Sequence, residues 1–127
     1  MKEWIRVVSE RIKIEDNDNI EILSDKLSVL GSKMIVNYLE DIINGKIVGV
    51  KQDNDKATFA RIIKRSDEHL DFNVSNRDVY NKFRALSPNP LPNFIMDDAE
   101  FKIAECQLCD EEGNASEIIS EGKDYFV

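Results

Sequence analysis

The longest periodic pattern in the chain lies between residues 20 and 43. Apolar residues recur there at spacings of three and four, which is typical of one apolar stripe on an amphipathic helix. The stripe comprises Ile20, Leu23, Leu27, Leu30, Met34, Ile35, Tyr38, Leu39, Ile42 and Ile43. Asp18 and Glu21 have the spacing of a capping box, and Asn44-Gly45 indicates where the helix ends. The pattern predicts one long helix whose apolar stripe is buried as a core face.

A second, shorter helix is predicted from Ser75 to Leu86. Ser75 is the expected N-cap, and Asp78 follows it at the spacing of a capping partner. Val79, Phe83 and Leu86 lie on one face and are expected to be buried. The prolines at positions 88, 90 and 92 prevent the helix from continuing.

Short extended segments surround the two helices. Ile12 and Ile14 alternate with Lys13, which predicts an N-terminal strand, and further short strands or extended pieces are expected along the chain. These further segments are 46–51, 57–63, 93–96, 100–108, 117–119 and 124–127. Short strands at close spacing with one inserted helix are typical of a small open barrel. We therefore predict an α+β fold: an N-terminal strand, a long helix, and then a barrel-like domain.

The charge of the chain is unevenly distributed along its 127 residues. The net charge is −8, with −3 in residues 1–43, +3 in residues 44–94 and −8 in residues 95–127. Only the middle third would attract a phosphate backbone, whereas nucleic-acid binders are more usually basic overall. The first 14 residues carry six charged groups and no apolar run approaches the roughly 20 residues of a membrane helix. We expect a soluble, cytoplasmic protein without a membrane partner.

Few residues have the pattern of a catalytic or metal site. Cys106 and Cys109 form a C-x-x-C pair, but zinc needs about four ligands and the single histidine, His69, is distant in sequence. The acidic clusters near the end of the chain lack the spacing of a calcium loop. We predict two reduced thiols on a strand, no metal ligands and no catalytic residues.

One series of motifs resembles a known family. In order, the chain contains Gln52-Asp53, Ala57-Thr58-Phe59-Ala60, Leu70-Asp71-Phe72, and Arg84-Ala85-Leu86 followed by alternating prolines. The series resembles the start of the C-terminal domain of the methionyl-tRNA formyltransferase family. The family pattern is Gln-Asp, Ala-Thr-Tyr-Ala, Ile-Asp-Trp and Arg-Ala-Leu-x-Pro-Trp-Pro. The chain departs from it at Phe59, Phe72 and Asn89, which replace Tyr, Trp and Trp.

The resemblance implies a division of the chain into three parts. Residues 1–43 would be the tail of the catalytic domain, residues 44–56 a linker, and residues 57–127 an OB-like barrel whose last strands would follow Val127. The full enzyme would transfer a formyl group from 10-formyltetrahydrofolate to the methionyl amine of initiator Met-tRNA. The Asn-His-Asp constellation and the Ser-Leu-Leu-Pro loop of the family's catalytic domain do not occur here. We therefore expect this chain alone to be inactive and to need the missing N-terminal catalytic domain as a partner.

The resemblance also places the linker and barrel along initiator tRNA, where basic side chains would neutralise phosphates. The expected tRNA-binding residues are Lys46, Lys51, Arg61, Lys64, Arg65, Lys82 and Arg84. Arg84 has a structural alternative, since it could hydrogen-bond carbonyls at the end of the helix. Two other functions remain open: the C-terminal domain of a sugar-nucleotide or other folate-dependent formyltransferase, and a stand-alone, non-enzymatic interaction module. The acidic last third and the lost Trp favour the sugar-nucleotide class somewhat.

Overall fold

A computed structural model describes residues 5–123 and 125–127, and it divides the chain into two compact units. The N-terminal unit ends at Ile62 and the C-terminal unit begins at Ile63. The elements, in chain order, are β1 Ile5–Arg6, α1 Ile20–Ile43, β2 Val50–Lys51, α2 Asn76–Leu86, β3 Asn93–Met96 and β4 Ala99–Lys102. Single 3-10 turns span Asn54–Lys56 and Arg65–Asp67. This content of helices and antiparallel strand pairs confirms an α+β protein.

Helix α1 confirms the predicted long helix, but its cap differs from the prediction. The side chain of Asn19, not Asp18, accepts a hydrogen bond from the backbone N–H of Ile22 at 2.9 Å. Asp18 lies one residue outside the cap, where its carboxylate accepts the N–H of Glu15 at 2.9 Å. Its other oxygen lies 2.6 Å from Lys26 Nζ, so the predicted capping role of Asp18 is wrong.

The predicted end of α1 is confirmed. Asn44 is the C-cap residue, and its N–H donates to the carbonyl oxygen of Glu40 at 2.9 Å. Gly45 follows with φ at 68°, in the left-handed region that glycine occupies without steric cost. Asn44-Gly45 therefore terminates the helix by the mechanism that its sequence suggested.

The apolar stripe of α1 is not buried by the rest of the N-terminal unit, so the predicted core face is wrong for this chain. No residue of α1 is buried, and Leu27 is 49% exposed and Ile35 61% exposed. The only sheet described in this unit is the two-residue pair β1–β2, in which Ile5 opposes Lys51. Such a pair is too small to cover a helix of 24 residues. None of the helices in the described residues is long and apolar enough to cross a membrane.

Two predicted strands in the N-terminal part of the chain are wrong. Residues 10–14 form no ladder, and the strand near this end is β1, which pairs antiparallel with β2. Residues 57–63 are also irregular, and all of their side chains are exposed. The extended connector at 46–51 is a strand only over its last two residues. Alternating side chains produce a strand only where a neighbouring backbone completes the hydrogen bonds.

Helix α2 confirms the second predicted helix. Ser75 Oγ accepts the N–H of Asp78 at 3.1 Å and donates to its carboxylate at 2.6 Å. Phe83 and Leu86 are buried as expected, and Val79 is half-buried. The helix ends before Ser87, so the proline-rich segment begins where the sequence indicated.

The core of the C-terminal unit includes buried apolar side chains from α2 and from strand β3. Its buried apolar residues are Leu70, Phe83, Leu86 and Phe94. Phe94 contacts Phe72 edge-on, with ring centroids 5.8 Å apart, and stacks on Phe101 at 5.4 Å. Aromatic pairs of this geometry contribute beyond their buried area. The aromatic positions around the Leu-Asp-Phe motif are therefore structural.

Strands β3 and β4 form the hairpin of this unit, with Phe94 opposite Phe101. The predicted strand 93–96 is confirmed, and Asp97 and Asp98 form its turn with φ of 50° and 63°. Two successive positive φ values are typical of a tight hairpin turn. The predicted strand 100–108 extends only to Lys102, so Cys106 and Cys109 do not lie on a strand as predicted. The segment 117–119 forms no strand, and that prediction is wrong.

The last predicted strand, 124–127, includes Asp124, which lies outside the described residues. Around it, Glu121 and Phe126 form an isolated antiparallel bridge. A parallel bridge also joins His69 to Asn93, at the start of β3. These bridges and the β3–β4 hairpin do not by themselves make a closed sheet, and the barrel stays a prediction.

Candidate nucleic-acid interface

Three of the predicted tRNA-binding cations belong to the N-terminal unit. Lys46 follows the end of α1, and its Nζ lies 2.8 Å from Asp41 Oδ1. Lys51 is the second residue of β2, and Arg61 lies in the irregular segment that precedes the unit boundary. All three side chains are exposed to solvent. Their positive ends are accessible to a large anionic partner of this unit.

Lys64 and Arg65 lie at the 3-10 turn that begins the C-terminal unit. The backbone N–H of Lys64 donates to Asp67 Oδ2 at 2.8 Å, which fixes the turn. Arg65 Nη2 lies 2.6 Å from Glu100 Oε1 on β4, and Nη1 lies 3.7 Å from Glu68 Oε2. The Arg65 side chain remains 66% exposed despite these contacts. Its guanidinium is held in place and still faces water.

The two cations on helix α2 have different surroundings. Lys82 Nζ donates a hydrogen bond to the carbonyl oxygen of His69. Arg84 Nε donates to Asn81 Oδ1 at 3.1 Å, within its own helix. Residues two apart on a helix do not share a face, so Lys82 and Arg84 are presented to different sides. Arg84 is thus held by a side chain of its own helix, and the structural alternative for it stays a prediction.

One cation that the sequence analysis missed, Lys102, belongs to the same region as Arg65. Lys102 Nζ lies 3.5 Å from Glu68 Oε2 and donates to the carbonyl oxygen of Pro90 at 2.7 Å. Glu68 is buried and receives both Arg65 and Lys102. The next residue, His69, accepts Lys82. The fold thus gathers Arg65, Lys82 and Lys102 around residues 68–69, a cluster that no sequence motif indicates.

A cavity of the C-terminal unit has the opposite electrostatic character. It has a volume of about 890 Å³, and Phe72, Phe94 and Phe126 contribute to its apolar wall. Its charged lining residues are Asp71, Glu111 and Glu117, with no lysine or arginine among the described residues around it. Carboxylates in a partly apolar wall repel an anion. This cavity is unsuited to a phosphate backbone, and the cationic cluster lies outside its lining.

The titratable groups of this cavity do not form a catalytic arrangement. Hydrogen bonds from the backbone and side chain of Asn73 lower the pKa of Asp71 and stabilise its charged form. Burial raises the pKa of Cys106, which therefore stays a neutral thiol, and Cys109 is exposed. Among the described residues, no three His, Cys, Asp or Glu side chains are placed to hold a metal ion. Nothing here activates a nucleophile.

The sequence comparisons agree with the resemblance drawn from the motifs. Residues 62–127 match the family described as formyl transferase, C-terminal domain. The chain is 43% identical over 102 residues to proteins named methionyl-tRNA formyltransferase from Staphylococcus aureus strains MW2, Newman and N315. Each match covers 80% of this chain and 33% of the relative. The matched part thus spans about a third of the length of these relatives.

Proposed function

This chain belongs to the formyl transferase C-terminal domain family, and we propose that it is the tRNA-binding C-terminal portion of a methionyl-tRNA formyltransferase. The complete enzyme would transfer a formyl group from 10-formyltetrahydrofolate to the methionyl amine of initiator Met-tRNA. The observation that carries the proposal is the 43% identity that extends over 80% of the chain. The names of these relatives favour a tRNA substrate over a sugar nucleotide, and a cytoplasmic location follows from the proposed role in translation.

The division of the chain into residues 1–43, 44–56 and 57–127 is part of the same proposal. The uncovered stripe on α1 supports it, because a helix of this kind gains most of its stability from packing. We assign residues 1–43 to the tail of a catalytic domain, with α1 packed against residues that these 127 do not include. The β3–β4 hairpin and the C-terminal bridge would belong to an OB-like barrel.

The basic residues would act by neutralising tRNA phosphates, which sets affinity and position but reads no base. Arg65 and Lys102 support this role because each is paired with a carboxylate and still partly exposed. The Arg65–Glu100 pair is exposed on both sides, and such a pair contributes only about 0–1 kcal/mol, so exchanging Glu100 for a phosphate costs little. The carboxylates also limit the attraction to unrelated polyanions. This balance agrees with weak, salt-sensitive binding by the chain alone.

The residues present do not fit 10-formyltetrahydrofolate. That donor carries carboxylates, whereas the 890 Å³ cavity of the C-terminal unit presents three carboxylates and neither lysine nor arginine among its described lining residues. The donor supplies the formyl carbon when it is bound, and we place its site outside this chain. With no activated nucleophile or base among the described groups of the cavity, the isolated chain is proposed to be inactive.

The proposal is tested by titrating the 127-residue chain with initiator tRNA over a range of salt concentrations. The triple variant Lys51→Gln/Lys64→Gln/Arg65→Gln should lower the slope of log affinity against log salt by about one for each phosphate contact removed. Lys13→Gln is the matched control, because Lys13 is an exposed cation outside the proposed set whose side chain is 81% exposed. Its slope should equal that of the unmodified chain.

Two results would contradict the proposal. One is binding that does not depend on salt in any variant. The other is an equal loss of slope in the triple variant and in Lys13→Gln, which would mean that net charge alone governs binding. Far-ultraviolet circular dichroism of each variant checks that the helices remain, since the triple variant also leaves Glu100 and Glu68 without Arg65.

A further inference from the structure

Phe59 is more exposed than any other large apolar side chain in the described residues. Its exposed fraction is 97%, in the irregular segment that ends the N-terminal unit. Single exposed apolar side chains are common on protein surfaces, but an aromatic ring also offers a flat face on which another ring can stack. The neutralisation of phosphates makes no use of such a face.

The chemistry around the ring is that of a nucleic-acid contact. Lys56 and Arg61 flank Phe59, and residues 56–61 carry no carboxylate of their own. Lys56 Nζ lies 3.0 Å from Asp53 Oδ2, and its side chain is still 84% exposed. The intervening residues at 57, 58 and 60 are alanine, threonine and alanine, so both sides of the ring are flanked by small side chains. A flat partner can approach the ring without displacing a bulky neighbour.

Four other phenylalanines in the described residues contact one another and have a different role. Phe94 contacts Phe72, Phe101 and Phe126, with centroid distances between 5.4 and 5.8 Å. Phe59 takes part in none of these ring contacts, and no cation–π contact joins it to a described residue. Among the described phenylalanines, Phe94 and its ring partners thus form a packed cluster, whereas Phe59 is exposed and makes none of these ring contacts.

We propose that Phe59 is a stacking platform for an unpaired base of the bound RNA, with Lys56 and Arg61 holding the adjacent phosphates. The inference rests on the proposed tRNA-binding function and adds to it a contact with a base. Proteins that bind single-stranded nucleic acid combine a cationic track with aromatic rings in this way. Base-paired RNA hides its base faces, so the partner of this ring is a single-stranded segment or an end.

A docking site for another protein is the main competing explanation, and the chain contains an internal control for it. Ile62 lies three residues from Phe59 and is 87% exposed, so an apolar partner surface would bury both side chains. Stacking needs a π-face, which Phe59 has and Ile62 lacks. The two explanations therefore predict different behaviour for substitutions at these two positions.

The test compares Phe59→Ala, Phe59→Leu, Phe59→Trp and Ile62→Ala in the 127-residue chain, with a short single-stranded RNA and a duplex RNA of equal length as probes. Phe59→Ala should weaken single-strand binding about 5- to 150-fold, which is the usual range for loss of one stacked base. Phe59→Leu should weaken it comparably, Phe59→Trp should retain it, and Ile62→Ala should leave it unchanged. The salt slope should stay the same in all four variants.

Fluorescence gives a second readout. The single-stranded RNA should quench the emission of Phe59→Trp more than that of the unmodified chain, whose only tryptophan is Trp4. Duplex binding should be equal in all variants, and circular dichroism should be unchanged because the position is 97% exposed.

Each contrary result has a distinct meaning. If Phe59→Ala binds within twofold of the unmodified chain while the Lys and Arg variants lose slope, stacking is wrong and tRNA binding stands. If the cation variants also bind normally, both proposals fail. If Phe59→Ala and Ile62→Ala weaken binding equally and Phe59→Leu restores it, the segment is an apolar docking surface and the stacking proposal is overturned.

Discussion

The two units of this chain contain similar numbers of apolar residues but differ in how many of them are buried. The C-terminal unit buries Leu70, Phe83, Leu86 and Phe94 around one hairpin and one short helix. In the described residues of the N-terminal unit, 5–62, the only buried residue is Asp18, although α1 carries ten apolar residues in a stripe. The stripe of α1 is the longest apolar pattern in the sequence, yet none of its side chains is buried.

The difference shows that periodicity specifies a helix face but not what covers it. Helix α2 has 11 residues, and its buried side chains belong to the same core as Leu70 and Phe94. Helix α1 is more than twice as long, and only the pair β1–β2 accompanies it as regular structure. A long amphipathic helix without a packing surface retains only local helix propensity and its caps. We therefore expect the two units to differ most in their response to loss of apolar volume.

A matched pair of leucine substitutions should give the largest contrast. Leu70→Ala, at a position 2% exposed, should lower the free energy of unfolding of the C-terminal unit by about 2–5 kcal/mol. Leu27→Ala, at a position 49% exposed on α1, should change it by less than about 0.5 kcal/mol. Urea denaturation followed by circular dichroism measures both. Equal costs would mean that α1 is covered in solution, for example in a self-associated form, and the contrast between the units would fail.

A second contrast concerns the one side chain that the N-terminal unit does bury. The pairs Lys26–Asp18 and Lys13–Glu15 have nearly equal N···O distances, 2.6 and 2.7 Å. The carboxylate of Asp18 is 5% exposed and that of Glu15 is 51% exposed. Removing the partner of a buried charge costs more than breaking an exposed pair.

Lys26→Met should therefore destabilise the start of α1 by about 1–2 kcal/mol, reduced from the fully buried case because Lys26 is itself 35% exposed. Lys13→Met should cost less than about 0.5 kcal/mol. Amide hydrogen exchange in the first turns of α1 measures both effects. If the two variants exchange at the same rate, Asp18 does not depend on Lys26, and the only buried residue described in this unit is not a stabilising feature.

The sequence predicted the elements whose signals are local. The cap at Ser75 and the end of α1 at Gly45 each depend on a few adjacent residues, and both are confirmed. The strands predicted at 57–63 and 117–119 failed because a strand depends on a partner that its own residues do not specify. The N-cap of α1 was misplaced by one residue, because Asp18 and Asn19 are both good caps and only the ion pair to Lys26 distinguishes them.

The candidate interface divides in the same way. Basic residues near the Arg-Ala-Leu motif were proposed from the sequence, since charge and motif are both local features, and their role in tRNA binding stays a prediction. Lys102 was missed because its link to Arg65 passes through Glu68, 34 residues earlier in the chain. The exposure of Phe59 was not predicted either, because residues 57–63 were expected to form a strand. Both features depend on whether residues distant in the sequence pair with each other.

The smallest contrast uses the two N-caps, which make the same hydrogen bond in different settings. Asn19 Oδ1 accepts the N–H of Ile22 at 2.9 Å, and Ser75 Oγ accepts that of Asp78 at 3.1 Å. Loss of a cap costs about 1 kcal/mol of helix stability. Because α2 contributes to the core, Ser75→Ala should shift the cooperative unfolding midpoint of the C-terminal unit. Asn19→Ala should instead cause fraying of the first turn of α1 with no shift in that midpoint, because α1 buries no side chain.

Ser75→Asp and Asn19→Asp keep a capping oxygen and should behave as the unmodified chain. Circular dichroism during thermal unfolding reports the midpoint, and hydrogen exchange reports the fraying. A shared midpoint shift in both alanine variants would show that α1 is coupled to a cooperative core, which would remove the distinction between the two units.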